Sequence, residues 1–175
     1  MGVVMSEAVS EEGTRRAVMR AVGSGRGTWA MQSLFEHLVE AHETAGDLGV
    51  AMVTQPPGIA TPLHRHTKEA EAFFMLDGVM DYRAGDEMFH LEPGCFMYLP
   101  PALPHAFRIR GDDPARFLAL TVPGGLLNLY DDVGLPATEL RLPGADALSP
   151  EVEIPKWVEV GPRYGLEVVG PPIPE

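Results

Sequence analysis

Residues 58–78 read GIATPLHRHTKEAEAFFMLDG, a stretch that places His64 and His66 two residues apart, Glu71 five residues later and a turn pair, Asp77-Gly78, at its end. Side chains alternate along an extended chain, so His64 and His66 share one face while Arg65 turns to the other. Glu71 opens the next apolar run and has Phe73 and Met75 on its own side. A carboxylate on an apolar wall is costly to bury unless a cation or several hydrogen-bond donors compensate it. Farther along, Leu99-Pro100-Pro101-Ala102-Leu103-Pro104 leads into His105, with Phe107 at the same parity. Three imidazoles and one carboxylate form a ligand set for Fe, Mn, Ni, Co, Cu or Zn, whereas Ca and Mg prefer oxygen donors. The expected centre is therefore His64, His66, Glu71 and His105 around one divalent transition metal.

Working outward, 19 glycines and 17 prolines cut the middle of the chain into short apolar runs. The expected strands are 34–41, 48–55, 70–76, 79–83, 88–91, 96–99, 105–110 and 117–122, separated by turn pairs such as Gly46-Asp47, Gly85-Asp86 and Pro93-Gly94. Eight short strands suit an all-β barrel or jelly roll. After them, Leu126, Leu129, Tyr130 and Val133 fall on one helical stripe that Gly134 ends, with Pro136 beyond. Ser149 could cap a second helix with Glu151 and Glu153 in its first turn, although Pro155 and Pro162 interrupt that pattern.

The chain has 175 residues, enough for one core, and no run approaches the roughly 20 apolar residues of a membrane helix. Residues 1–14 read as a flexible start and 15–175 as one domain, with a motif core at 48–122 and a C-terminal segment at 123–175. Residues 1–14 lack the basic and apolar stretches of a secretory leader, which points to the cytoplasm. Met1-Gly2 through Ser6 fits the loose myristoylation pattern, but a single acyl chain without a basic patch anchors weakly. A formal net charge of −12 disfavours nucleic acid and anionic membrane surfaces as partners. The lone cysteine, Cys95, reads as a small core residue.

With these residues in view, the chain resembles the cupin family. Gly58, His64-x-His66, Glu71 and Gly78 reproduce the spacing of its first motif in full, and Gly94, Pro100 and His105 fall on its second. Ala102 stands where that motif has glycine and Ile109 where it has asparagine. Glycine there serves a positive φ, which neighbouring prolines could replace with another turn. The resemblance implies a double-stranded β-helix with one or two short C-terminal helices. The segment from Val122-Pro123-Gly124-Gly125 to Ala137 is similar to single-domain quercetin 2,3-dioxygenase-like cupins. That likeness implies a metal-dependent dioxygenase that opens a flavonol or related aromatic ring, with Glu71 as both ligand and base.

Two other readings fit the same residues: a non-oxidative cyclase or isomerase acting on a polyketide-like aromatic, and a non-catalytic small-molecule binding protein. Phe73, Met75 and Phe107 share parity with the ligands and are the candidate substrate contacts. Tyr98 joins them from a strand, 96–99, that is apolar on both faces. The partners expected are an aromatic small molecule, dioxygen and a second subunit, paired through strand-forming segments before Leu34. His37, His42 and His90 lack ligand spacing and read as structural or surface residues, and Asp131-Asp132 as a solvated helix face.

Overall fold

The computed structural model describes residues 16–144, 147 and 150–175. Residues 1–14, expected to be a flexible start, and the cap assigned to Ser149 lie outside the described residues. In chain order the strands are β1 (Arg26–Ala30), β2 (Ser33–Val39), β3 (Gly49–Gln55), β4 (Leu63–His66), β5 (Ala70–Asp77) and β6 (Val79–Ala84). They continue with β7 (Glu87–Leu91), β8 (Phe96–Leu99), β9 (His105–Arg110), β10 (Ala115–Val122), the two-residue β11 (Leu135–Pro136) and β12 (Leu166–Gly170). Two helices, α1 (Asn128–Val133) and α2 (Pro150–Val160), lie between β10 and β12.

All pairings are antiparallel. One sheet has the order β11-β1-β2-β3-β10-β5-β8 and the other β12-β4-β9-β6-β7. The chain crosses between the sheets several times, as in a double-stranded β-helix. The inner faces follow the period of two: Glu71, Phe73 and Met75 on β5 are buried, as are Ala115, Phe117, Ala119 and Thr121 on β10. From the other sheet Met80, Tyr82, Phe107 and Ile109 complete the same buried cluster.

The eight expected strands all form, with ends shifted by a few residues at most. β1 was expected only as a strand-forming segment pairing with a second subunit, not as a hairpin partner of β2. It is joined to β2 by Met31 and Gln32, both at positive φ, 51° and 57°. This is a two-residue hairpin turn of the kind that usually carries glycine or asparagine. Its backbone is held from outside, since the Met31 N–H donates to Glu153 Oε1 of α2 at 2.7 Å. The segment expected to offer a free edge to a second subunit is thus paired within the chain, β1 with β2 on one side and with β11 on the other.

The stripe at 126–133 forms as a 3₁₀ turn, Gly124–Leu127, running into α1. Pro155 does not end the second helix. α2 passes through it because Glu153 and Trp157 on either side are buried against the barrel. Asp131 is not a free solvated face: it receives both Nη atoms of Arg26 at 2.7 and 2.8 Å and the Thr28 hydroxyl at 2.7 Å. His37 is buried behind that group, 3.0 Å from the Thr28 hydroxyl oxygen, and burial, helped by Arg26, pushes its pKa down. His90 sits exposed against Asp81 at 2.7 Å, and His42 is exposed. No described helix is long and apolar enough to cross a membrane.

The prolines around Ala102 do not impose a different turn. Ala102 keeps the left-handed conformation, φ 65°, and its N–H donates to the His66 carbonyl at 2.7 Å. A Cβ in that region costs about 1–2 kcal/mol, partly offset by the smaller entropy of the unfolded alanine chain. Ala102→Gly should therefore raise the unfolding free energy by about 0.5–1 kcal/mol, read from urea denaturation of the metal-free protein.

Candidate metal centre

Each residue of the expected centre arrives from a different constraint of the two sheets. β4 presents His64 and His66 inward. β9 begins at His105, which is registered directly opposite His64. Glu71 comes from the facing sheet at the start of β5. The three imidazoles are buried, and their candidate ligand atoms lie within 4.8 Å of one another. Ring centroids are 4.3 Å apart for His64 and His105 and 5.1 Å for each of the other two pairs. Glu71 Oε2 stands 3.5 Å from His66 Nε2 and 3.4 Å from His105 Nε2, so it flanks two of the three rings.

The ring orientations fit a cation. His64 Nδ1 lies 2.7 Å from the Pro62 carbonyl and His105 Nδ1 2.9 Å from the Leu103 carbonyl. A carbonyl only accepts, so both Nδ1 atoms carry the proton and both Nε2 atoms present a lone pair. His105 Nε2 is buried without a hydrogen-bond partner. An orphaned acceptor beside two more imidazoles and a carboxylate is the donor set expected of a transition-metal site.

The electrostatics agree. Burial, reinforced by the neighbouring His105 and His66, pushes His64 down to about 3, which keeps its imidazole neutral. For Glu71 burial favours the protonated acid, but the adjoining His66 and His105 rings, 3.5 and 3.4 Å away, outweigh it and hold the carboxyl well below the usual range. Glu69, two residues before Glu71, is also buried, and burial pushes its carboxyl up.

The ligand cavity measures about 30 Å³. Phe73 and Phe107 line it as expected, whereas Met75 is fully buried in the core and is not part of the lining. Tyr98 is a correction. β8 pairs with β5 so that Tyr98 stands opposite Ala72, on the outer parity, and it is 58 % exposed. The inward residues of that strand are Met97 and Leu99, the partners of Phe73 and Glu71. Sequence reasoning missed Gln55, Tyr82, Tyr130 and Trp157, which also line the cavity. Gln55 could have been found, because it shares parity with the buried Ala51 and Val53 and is polar at an inward position.

Residues 51–121 match a family model described as "Cupin domain". Among curated proteins, "Quercetin 2,3-dioxygenase" of Bacillus subtilis is 29% identical over 94 residues, 53% of this chain and 28% of the relative. "Glucose-6-phosphate isomerase" of Thermococcus litoralis is 34% identical over 97 residues, 48% of this chain and 51% of the relative. The chain thus spans between about a quarter and about half the length of the curated relatives it matches. A solved structure described as a predicted oxalate decarboxylase from Thermotoga maritima superposes with a TM-score of 0.53 at 18% identity, over 62% of this chain and 99% of the other.

Two outcomes follow from the site. His64→Ala should lower the metal content of the purified protein, measured by elemental analysis, by more than about tenfold under dilute metal, because a first-sphere nitrogen is lost. The metal-free protein should also lose stability in acid. The His64 pKa is about 3 when folded and 6.5 by its ordinary value, so between those pH values the unfolded chain binds the extra proton. Its contribution is complete above about pH 6.5 and declines as pH falls toward 3, with Glu71 adding to the loss below 4.5. Urea midpoints of wild type and His64→Ala across that range should converge at low pH.

Proposed function

We propose that this chain, a member of the cupin superfamily, is a metal-dependent dioxygenase that oxidatively opens a flavonol or related polyphenolic ring. The observation that carries this reading is the buried set of three histidines with Glu71 in a cavity walled by Phe73, Phe107, Phe117, Tyr82 and Trp157. Aromatic walls suit a flat aromatic ligand. The match to Quercetin 2,3-dioxygenase supports the same class.

When bound, a divalent transition metal held by His64, His66, His105 and Glu71 would acidify a ligand hydroxyl and couple the substrate to dioxygen. The residues of this chain do the rest. Glu71 is ionised at neutral pH, so its carboxylate can accept the proton of a hydroxyl placed beside it. Its depressed pKa makes it a weak base, and transfer therefore depends on that hydroxyl already being acidified. The carbonyls of Pro62 and Leu103 fix the two imidazoles whose Nδ1 atoms they receive. The aromatic walls exclude water from the reacting ring.

The relative named as an isomerase supports a second, non-oxidative reading on the same ligands. A sugar phosphate is a poor fit, because no Lys or Arg stands among the residues lining the cavity. A non-oxidative reaction on an aromatic ligand is the form this second reading takes.

Oxygen uptake after adding quercetin to protein reloaded separately with Fe, Mn, Ni, Co, Cu and Zn tests the first reading. Consumption with at least one redox metal supports it. Product formation without oxygen moves the assignment to a cyclase or isomerase, and binding without turnover to a binding protein. Glu71→Gln should cut turnover by about 10²-fold or more while retaining a good part of the metal, measured by oxygen electrode and elemental analysis on the same sample.

A further inference from the structure

With Trp157 in place, the ligand cavity is too small to admit a whole aromatic molecule. At about 30 Å³ it holds little beyond one water. Immediately outside it lies a groove of about 310 Å³, within the size range of small-molecule sites. One wall is α2, where Ile154 and Val158 are 55 % and 58 % exposed. The other is formed by Ile59, Ala60 and Pro62 with Val168 and Pro172. Its surface is almost wholly apolar. Groove and cavity share two residues, Met31 and Trp157, so these side chains are at once the floor of the one and the roof of the other.

Trp157 carries a second, independent sign. It is 7 % exposed, yet its indole Nε1–H has no hydrogen-bond partner. A buried donor without an acceptor is disfavoured by about 1–3 kcal/mol and is uncommon in a native fold. Outside the histidine and glutamate set, two more polar atoms facing the same cavity are unmatched, the Gln55 side-chain oxygen, an acceptor, and the Tyr82 hydroxyl. Three unmatched groups around one hole describe a ligand that is apolar over most of its surface and bears oxygens at its inner end.

We propose that the groove under α2 is the access route for a flat, largely apolar, oxygen-bearing small molecule, and that Trp157 turns aside to admit it and then donates its indole N–H to a ligand oxygen. Trp157 is thus a specificity-determining residue at the boundary of the cavity. The inference rests on the cavity of the proposed reading but not on oxygen chemistry. Motion of Trp157 is local, because its ring contacts Tyr130 at a centroid distance of 5.7 Å while its helix is tied down separately by Glu153.

The test uses the full chain with Trp29→Phe, which leaves Trp157 as its one tryptophan, and quercetin as the probe, without added metal and without oxygen. Trp157 emission should change saturably. Val158→Glu, an exposed position whose substitution leaves the core intact, should weaken the apparent affinity by tenfold or more through a charge in the groove. Tyr82→Phe, inside the cavity, should weaken it about three- to tenfold. Trp157→Phe, followed by calorimetry, should do the same. A quercetin signal indifferent to Val158→Glu, or to both Tyr82→Phe and Trp157→Phe, overturns the proposal, as does absence of any saturable signal. A saturable, variant-sensitive signal in a protein that never consumes oxygen leaves this inference standing and removes the dioxygenase reading.

Discussion

Four ionisable side chains meet in a water-poor space at the mouth of this barrel, and the rest of the structure is arranged around making that meeting tolerable. His64, His66, His105 and Glu71 are each at least nine-tenths buried. Solvation lost by such groups has to be replaced by opposite charge or by hydrogen bonds. Backbone carbonyls satisfy two of the rings on their outer nitrogens, and Glu71 supplies a negative charge in contact with His66 and His105. The three imidazoles could hold a cation where their candidate ligand atoms converge. The two sheets hold this geometry because the ligands come from both, so neither sheet can shift without pulling the set apart.

The centre was legible in the sequence because its determinants are local. Alternation fixes the common face of His64 and His66, and a carboxylate at an inward position betrays itself among Phe73 and Met75. Phe73 and Phe107 were placed correctly for the same reason. Tyr98 shows where parity fails: Phe96-Met97-Tyr98-Leu99 is apolar at every position, so alternation says nothing about which pair faces in. Only the register with β5 decides it, and register is a long-range property. The hairpin that pairs β1 with β2 escaped notice because its turn, Met31-Gln32, has none of the residues that normally announce positive φ. That turn is stabilised by a carboxylate 122 positions away, and no local reading can supply such a partner.

The same distinction separates the wall of the cavity from its roof. The wall belongs to strands whose period is visible, whereas the roof belongs to a helix through which a proline passes. Pro155 argues against a helix on local grounds, and burial of Glu153 and Trp157 overrides it. Ala102 is a smaller instance: an alanine occupies a glycine conformation because the hydrogen bond to the His66 carbonyl and the packing of the ligand loop demand it.

The contact between Glu153 and the Met31 turn joins an early hairpin to a late helix, and this gives the molecule an order of assembly. A chain emerging from the ribosome has all four ligand residues in hand once His105 is out, but α2, which carries Trp157, and β12, which flanks β4, are still to be made. Until then the hairpin turn at 31 and 32 lacks its anchor, and the ligand cavity is open to water on its outer side. The pocket is therefore open from the emergence of His105 until α2 and β12 have been made, so a product truncated before α2 would keep these side chains while lacking their enclosure.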